Sequence, residues 1–118
     1  MSLETILKKL MDKVPQAIGA ILVDWEGEAV MEQCHCDPYD MRFIAAHKAI
    51  ILSRLKEMKS RHQTGVAEDM VITASEMHLI IGCIDQDYSL VMNINRGYPV
   101  SLARYHFRQA VAELRKEI

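Results

Sequence analysis

The segment Cys34-His35-Cys36 has the residue types best suited to chemistry in this 118-residue chain. Two thiolates and an imidazole are zinc ligands, and His47, His62 or Asp37 are candidates to complete a site. Structural zinc sites usually carry paired Cys-x-x-Cys motifs, however, and the chain has only one further cysteine. In an extended segment both of these cysteines share one face, so we favour burial at a strand end. We predict no metal and no cofactor, with metal binding as the open alternative.

Carboxylates cluster in two short segments that also invite a chemical interpretation. Asp24, Glu26 and Glu28 surround one glycine, and Asp85 and Asp87 flank Gln86. Neither group has the twelve-residue ligand pattern of a calcium loop, and neither has a partner suited to acid–base catalysis. The glycines are scattered, without a phosphate-binding loop. Both segments are therefore predicted to be solvated turns, and the chain is predicted to have no catalytic residues.

Composition limits the classes of protein to which the chain can belong. The net charge is −2 and half of the residues are hydrophobic, as in ordinary soluble domains. A chain of this length forms one domain, here residues 1–118. No basic face suggests a nucleic-acid partner, and no apolar run is long enough to span a bilayer. The odd number of cysteines is consistent with a reducing environment, so we expect a cytoplasmic protein.

The first part of the chain is predicted to form a helix and two strands. Ser2 is a suitable helix N-cap, and Pro15 ends the one-sided amphipathic segment that follows it. Ala17 to Asp24 is an almost continuous apolar run, which indicates a strand buried on both faces. A second strand is predicted from Glu28 to Cys34.

The last part of the chain is predicted to form three strands and a helix. The strands are Glu68 to Ser75, Met77 to Ile84 and Tyr88 to Ile94, and the short turns between them permit only antiparallel neighbours. Tyr98-Pro99 then opens a closing helix. Its predicted buried stripe consists of Val100, Ala103, Phe107, Ala110, Val111, Leu114 and Ile118.

A long helix from Tyr39 to His62 is predicted between these two parts, and it has two apolar sides. A second apolar strip lies about opposite its broad arc. The broad arc consists of Met41, Ile44, Ala45, Ile51, Leu52, Leu55 and Met58. A helix on the surface of a monomer needs only one apolar face, so another part of this chain or another chain must cover the second. The second strip consists of Tyr39, Phe43, Ala46 and Ile50.

The complete order is helix, two strands, helix, three strands, helix. This predicts an α/β chain of the α+β type, in which a mainly antiparallel five-stranded sheet lies between helices as a three-layer sandwich. The order resembles the Roadblock family, named for a dynein light chain. The resemblance rests on the run Gln16-Ala17-Ile18-Gly19-Ala20-Ile21-Leu22-Val23-Asp24 followed by Gly27, and on Leu102-Ala103-Arg104 in the last helix.

The resemblance implies a profilin-like fold and a small non-enzymatic dimer. Family members pair their long helix and third strand across a two-fold axis, and they bind Ras-like small GTPases or attach dynein cargo. Some bacterial members regulate a GTPase without inserting an arginine of their own, so none is nominated here. Ser101, where the family often has glycine, and the Cys34-His35-Cys36 segment depart from the family pattern. The implied dimer interface is Tyr39, Phe43, Ala46 and Ile50 together with Met70, Val71, Ile72 and Thr73.

We therefore expect a cytoplasmic homodimer that acts as a scaffold or regulator of a Ras-like small GTPase, including as a GTPase-activating protein. The alternative is a small-molecule sensor of similar sandwich fold, which would require a sizeable internal pocket. A heterodimer with a paralogue is the open alternative to the homodimer.

Overall fold

The computed structural model describes residues 2–24, 26, 28–34 and 68–118. The described residues form two helices, α1 (Leu3–Lys13) and α2 (Val100–Glu117), and five strands. The predicted long helix Tyr39 to His62, with its second apolar strip, lies outside the described residues. The strands are β1 (Ala17–Asp24), β2 (Ala29–Cys34), β3 (Asp69–Thr73), β4 (Met77–Cys83) and β5 (Tyr88–Asn95).

The five strands form one sheet in the order β2-β1-β5-β4-β3, and every neighbouring pair is antiparallel. The prediction of an α+β fold with an antiparallel five-stranded sheet is confirmed. Observed strand ends differ from the predicted ones by one or two residues, most of all at β3, which was expected to span Glu68 to Ser75.

Burial follows each strand's position in the sheet. β1 lies between β2 and β5, so both of its faces are covered, and Ile21, Leu22 and Val23 are fully buried. This confirms the interpretation of the apolar run as an interior strand. β2 and β3 are the outer strands, and their residues are exposed or half-buried.

α1 begins and ends where the sequence predicts. The Ser2 hydroxyl accepts a hydrogen bond from the Thr5 backbone N–H at 3.2 Å, which satisfies one donor that the first helical turn leaves open. The helix ends at Lys13, two residues before Pro15. Its single apolar side packs on the sheet through Ile6, Leu7, Leu10 and Met11.

α2 packs on the same face of the sheet as α1, and both helices contribute to one core cluster. Its buried residues are Ala103, Phe107, Ala110, Val111 and Leu114. The prediction that Ile118 extends this stripe is wrong, because its side chain is 43 % exposed. Ile118 follows the last helical residue, and the core cluster ends at Leu114.

The opposite face of the sheet carries a second buried cluster. Cys34, Met70 and Ile72 are partly buried against it. The predicted third layer over this face is the long helix, which lies outside the described residues. Within the described ranges, no helix is long and apolar enough to cross a membrane. The second cluster consists of Ile21, Val23, Leu79, Ile81, Cys83 and Val91.

Candidate functional site

The part of the predicted dimer interface that the structure describes is strand β3. Met70, Val71, Ile72 and Thr73 all lie on it, and within the described residues β3 pairs with β4 alone. One of its edges is therefore a row of backbone donors and acceptors, which is how a sheet pairs with another chain. Dimer formation through this edge stays a prediction, as do the interface roles of Tyr39, Phe43, Ala46 and Ile50.

The register of the β3–β4 hairpin determines which backbone groups face that edge. Ala74 donates its N–H to Met77 O at 2.8 Å, and Cys83 donates to Glu68 O at 2.9 Å. Hydrogen-bonded and non-hydrogen-bonded residue pairs alternate along an antiparallel ladder. Glu68 and Ala74 therefore belong to hydrogen-bonded pairs with β4. By alternation, the residues of β3 in non-hydrogen-bonded pairs are Asp69, Val71 and Thr73. The backbone N–H and C=O groups of Asp69, Val71 and Thr73 therefore point away from β4, towards the outer edge.

The side chains of β3 alternate between the two faces of the sheet. Met70 and Ile72 pack against the second core cluster, on the face opposite the helices. Asp69, Val71 and Thr73 lie on the face that carries α2. Val71 is 36 % exposed there, so the middle of the strand is uncovered on that side.

Two arginines of α2 hold the first residue of β3. Arg104 donates from Nε (3.2 Å) and Nη2 (2.9 Å) to Asp69 Oδ1, and Arg108 donates from Nε to Asp69 Oδ2 at 2.8 Å. Both oxygens of the carboxylate are engaged, and its side chain is 8 % exposed. We call these three residues the Arg–Asp cluster. Because charge-assisted hydrogen bonds are short and directional, the cluster fixes the edge strand relative to the helix.

The ionisation of Asp69 reflects two opposing effects. Burial raises the pKa of its carboxyl group, whereas the hydrogen bonds from Arg108 and Arg104 and their positive charges lower it. The effects of the two arginines together exceed the effect of burial, so the pKa of Asp69 lies below its ordinary value of 3.8. The same contact raises the pKa of Arg108. The cluster is therefore fully charged at neutral pH.

A buried histidine holds the other end of β3. His78 is 6 % exposed and lies beside Thr73, with its Nδ1 2.9 Å from the Thr73 hydroxyl. Its Nε2 is 3.2 Å from the backbone oxygen of Arg96. A carbonyl only accepts, so Nε2 donates this bond, and in the neutral ring Nδ1 accepts from Thr73. Arg96 Nε also donates to Ala74 O at 3.1 Å, so the turn before α2 is tied to the β3–β4 hairpin.

No site was predicted from the sequence at Asp69, His78, Arg104 and Arg108. Asp69 and His78 contact residues 18 to 39 positions away in the chain, and such pairings depend on how α2 lies over the sheet. The spacing of Arg104 and Arg108 was the available signal, because residues four apart share one flank of a helix.

The other candidate residues that the structure describes have structural roles. Asp24 Oδ1 accepts from the backbone N–H groups of Glu26 and Glu28, and Asp85 Oδ1 accepts from Asp87 and Tyr88. Each carboxylate thus closes its own turn. Among the described residues, no group of three or more acidic, histidine or cysteine side chains is arranged to hold a metal ion. His35 and Cys36 lie outside the described residues.

A groove of about 170 Å³ lies between α2 and the beginning of β3. Its lining includes the charged side chains of Arg108 and Arg115 and the apolar side chains of Phe107 and Val111. Arg115 is anchored, because it donates from Nε to Ile84 O at 2.7 Å. The groove is open to solvent, unlike the internal pocket that the sensor alternative requires.

The fold is shared with solved structures of known type. A Roadblock/LC7 domain from Streptomyces avermitilis has a TM-score of 0.87 at 18 % identity, covering 99 % of this chain and 98 % of that one. MglB from Myxococcus xanthus gives 0.86 at 16 %, covering 97 % and 92 %. Acanthamoeba castellanii profilin IA gives 0.69 at 9 %, covering 98 % of each chain. No family model and no curated protein sequence matches the chain.

At these identities the likeness establishes the fold. The chain has the fold of Roadblock/LC7 domains, and that fold is profilin-like. The predicted resemblance to the Roadblock family is confirmed at this level.

Proposed function

Because the chain has the Roadblock/LC7 fold, we propose that it is a non-enzymatic homodimer that binds and regulates a Ras-like small GTPase in the cytoplasm. The observation that carries this proposal is the outer edge of β3. The backbone groups of its middle residue, Val71, point away from β4, and the side chain is 36 % exposed on the face that carries α2. Its two ends are held by Asp69 and Thr73. A fixed edge strand is a template for pairing with an identical strand.

The direction of the outward backbone groups supports one register for that pairing. With the two-fold axis at Val71, this residue lies opposite its copy, and Asp69 lies opposite Thr73 of the second copy. Each of these residue pairs then exchanges two backbone hydrogen bonds. Sliding the strands by two residues would leave one end of each strand unpaired. The centred register therefore uses every outward group of the five-residue strand.

Regulation of a small GTPase is supported by the family resemblance and by the fold of the structural neighbours. One solved structure of MglB has a tetrameric arrangement, which shows that this fold self-associates in that protein. The proposal assigns no catalytic residue to this chain. The GTPase would carry the chemistry, and the dimer would bind it and alter its conformation.

Two matched substitutions test the dimer. Val71→Lys places like charges opposite each other at the proposed two-fold axis, and lysine is a natural blocker of edge pairing. Val30→Lys makes the same change on the other outer strand, where the side chain is 44 % exposed. Sedimentation equilibrium should give a dimer for the wild type and for Val30→Lys, and a folded monomer for Val71→Lys. A wild type that sediments as a folded monomer would contradict the proposal.

The partner is tested with small GTPases from the source organism, loaded with GTP or GDP. The wild-type dimer should retain at least one of them in a pull-down, with a preference between the two nucleotide states. Addition of the dimer should then change the rate of GTP hydrolysis by that GTPase. A dimer that retains no GTPase in either state would remove this part of the proposal and leave the self-association intact.

A further inference from the structure

Among the described residues, the middle of β3 is only partly covered on the face that lies beside α2. α2 packs over β4, and the ring of Phe107 lies against Gly82 of that strand. Val71 lies one strand further out on the same face and is 36 % exposed. The α2 flank next to it carries Arg104 and Arg108, which are 43 % and 51 % exposed.

Pairing two β3 strands converts this partly exposed surface beside α2 into a cleft. A two-fold axis at Val71 brings the second copy of that side chain next to the first, on the same face of the joined sheet. Arg104 and Arg108 hold Asp69, which lies opposite Thr73 of the second copy. The two pairs of arginines therefore lie at diagonally opposite ends of the cleft, one pair on each wall. The floor is formed by the two valines, and the walls are formed by the two α2 helices. The site is incomplete without the second copy, so it rests on the proposed dimer.

The spacing of strands gives the width of this cleft. From β4 to the same strand of the second copy is three spacings of about 4.8 Å, or roughly 14 Å. Packed helices lie about 8–10 Å apart, so the two α2 helices do not contact each other. Subtracting about 10 Å for the helix bodies leaves roughly 4–5 Å, close to one strand spacing. The cleft has room for one extended chain and not for a helix.

The charges on the walls indicate which chain would enter. Each protomer contributes Arg104 and Arg108 against one carboxylate, Asp69, whose two oxygens both accept from these arginines. The three residues of the cluster carry one net positive charge for each protomer, and the neighbouring Glu68, whose charge also raises the pKa of Arg108, partly offsets it. Among the contacts of the described residues, Arg108 uses only its Nε, and its two terminal amino groups are directed to no described acceptor. Terminal guanidinium groups prefer carboxylates.

We propose that the dimer binds an extended acidic segment of a partner protein in this cleft. The segment lies along the two β3 strands, with apolar side chains on the two Val71 residues and carboxylates on the arginines of both walls. An extended chain places alternate side chains on opposite sides, so alternating apolar and acidic residues fit this arrangement.

The probe is a capped, fluorescently labelled octapeptide of alternating valine and glutamate, compared with one of alternating valine and lysine. Binding is followed by fluorescence anisotropy at low and high salt, with the oligomeric state measured on the same samples. The glutamate peptide should bind the dimer, more weakly at high salt because the charges are screened. The lysine peptide should not bind.

Two substitutions on exposed positions of α2 localise the binding. Ser101 precedes Arg104 by three residues and Arg108 by seven, so Ser101→Glu adds a negative charge to the cleft wall. Gln109→Glu adds the same charge on the flank that faces α1. Ser101→Glu should weaken binding of the glutamate peptide roughly fivefold, and Gln109→Glu should leave it unchanged.

The outcomes separate this inference from the proposed function. A dimer that does not bind the glutamate peptide, or binds both peptides equally, overturns the cleft and leaves the dimer. Equal weakening by Ser101→Glu and Gln109→Glu also overturns it. Larger assemblies of the chain that Ser101→Glu abolishes would identify a further copy as the occupant instead. A wild type that is a monomer overturns the proposed dimer and the cleft together.

Discussion

Asp69 is the residue on which the position of the edge strand depends. It is the first residue of β3, its carboxylate is 8 % exposed, and both oxygens accept hydrogen bonds from arginines of α2. Isolated surface ion pairs contribute little to stability. This carboxylate is nearly buried and doubly paired, so its removal has a measurable cost and loosens β3 from the helix.

Asp69→Asn tests the strength of this contact. The amide keeps the shape of the side chain and removes the charge, so two charge-assisted hydrogen bonds become weaker ones. We expect a loss of about 1–2 kcal/mol in the free energy of unfolding at pH 7, measured by urea denaturation. Asp12→Asn, an exposed position on α1, is the control and should change it by less than about 0.5 kcal/mol. Equal effects of the two substitutions would contradict the role of the Arg–Asp cluster.

The pH dependence of stability follows from the same contact. The pKa of Asp69 is lower in the folded chain than its ordinary value of 3.8. A lowered carboxyl pKa stabilises the fold above the unfolded-state pKa, and this contribution disappears as the pH falls through the folded-state pKa. The stability difference between the wild type and Asp69→Asn should therefore be constant from pH 7 to about pH 5 and shrink below about pH 4. Urea denaturation at several pH values measures it, and a difference that grows in acid would contradict the assignment.

At the scale of elements, β3 has one ladder that stabilises the fold and one outer edge. Ile72 pairs with Leu79 and lies one residue from the outward-pointing Val71. Proline lacks the backbone N–H, so its effect depends on which edge loses the donor. A proline at position 71 therefore tests association, and a proline at position 72 tests folding.

Val71→Pro and Ile72→Pro form the matched pair for this test. Val71→Pro removes a donor from the outer edge and should yield a folded monomer by sedimentation and circular dichroism. Ile72→Pro removes a donor from the β3–β4 ladder and should lower the midpoint of thermal unfolding much more. If Val71→Pro unfolds the chain as strongly as Ile72→Pro, the assignment of the outward groups is wrong.

The contact between α2 and β4 depends on a glycine. A Cβ atom added to Gly82 would lie 2.5 Å from Cε1 and 3.1 Å from Cζ of Phe107. That ring is fully buried between α2 and the sheet, so it must shift to admit the added atom. Gly82→Ala should destabilise the fold by about 1–3 kcal/mol in urea denaturation, through overpacking. Gly97→Ala, whose added Cβ would be 3.6 Å from Asn95 Oδ1, is the control and should cost less.

Local patterns account for the parts of the fold that the sequence predicted. The apolar run of β1, the Ser2 cap and the short turns of the β3–β4–β5 meander each depend on neighbouring residues, and the structure has all of them. The Arg–Asp cluster and the contact of Phe107 with Gly82 join residues far apart in the chain, so no local period reveals them. Ile118 continues the helical period of α2, yet it lies beyond the core that makes such a position buried.

At the level of the whole molecule, the proposed function and the inter-helix cleft both require a second copy of the chain. α1 and α2 cover one face of the sheet, and both ends of β3 are fixed while its middle stays exposed. The same strand would join the two sheets, form the floor of the inter-helix cleft and present both copies to a small GTPase. The dimer paired through β3 is therefore the central claim.

Amide hydrogen exchange at β3, measured by NMR on the wild-type protein, tests that claim most directly. Within the described part of the chain, the outward N–H groups of Val71 and Thr73 have no acceptor, so pairing of β3 with its copy would protect them, whereas the N–H of Ile72 is bonded to β4 in either state. In the dimer, Val71 and Thr73 should be protected to a similar degree as Ile72. Val71→Lys should remove the protection of the amides at positions 71 and 73 and leave that of Ile72 unchanged. Exchange of Val71 and Thr73 at the rate of exposed amides in the wild type would contradict it.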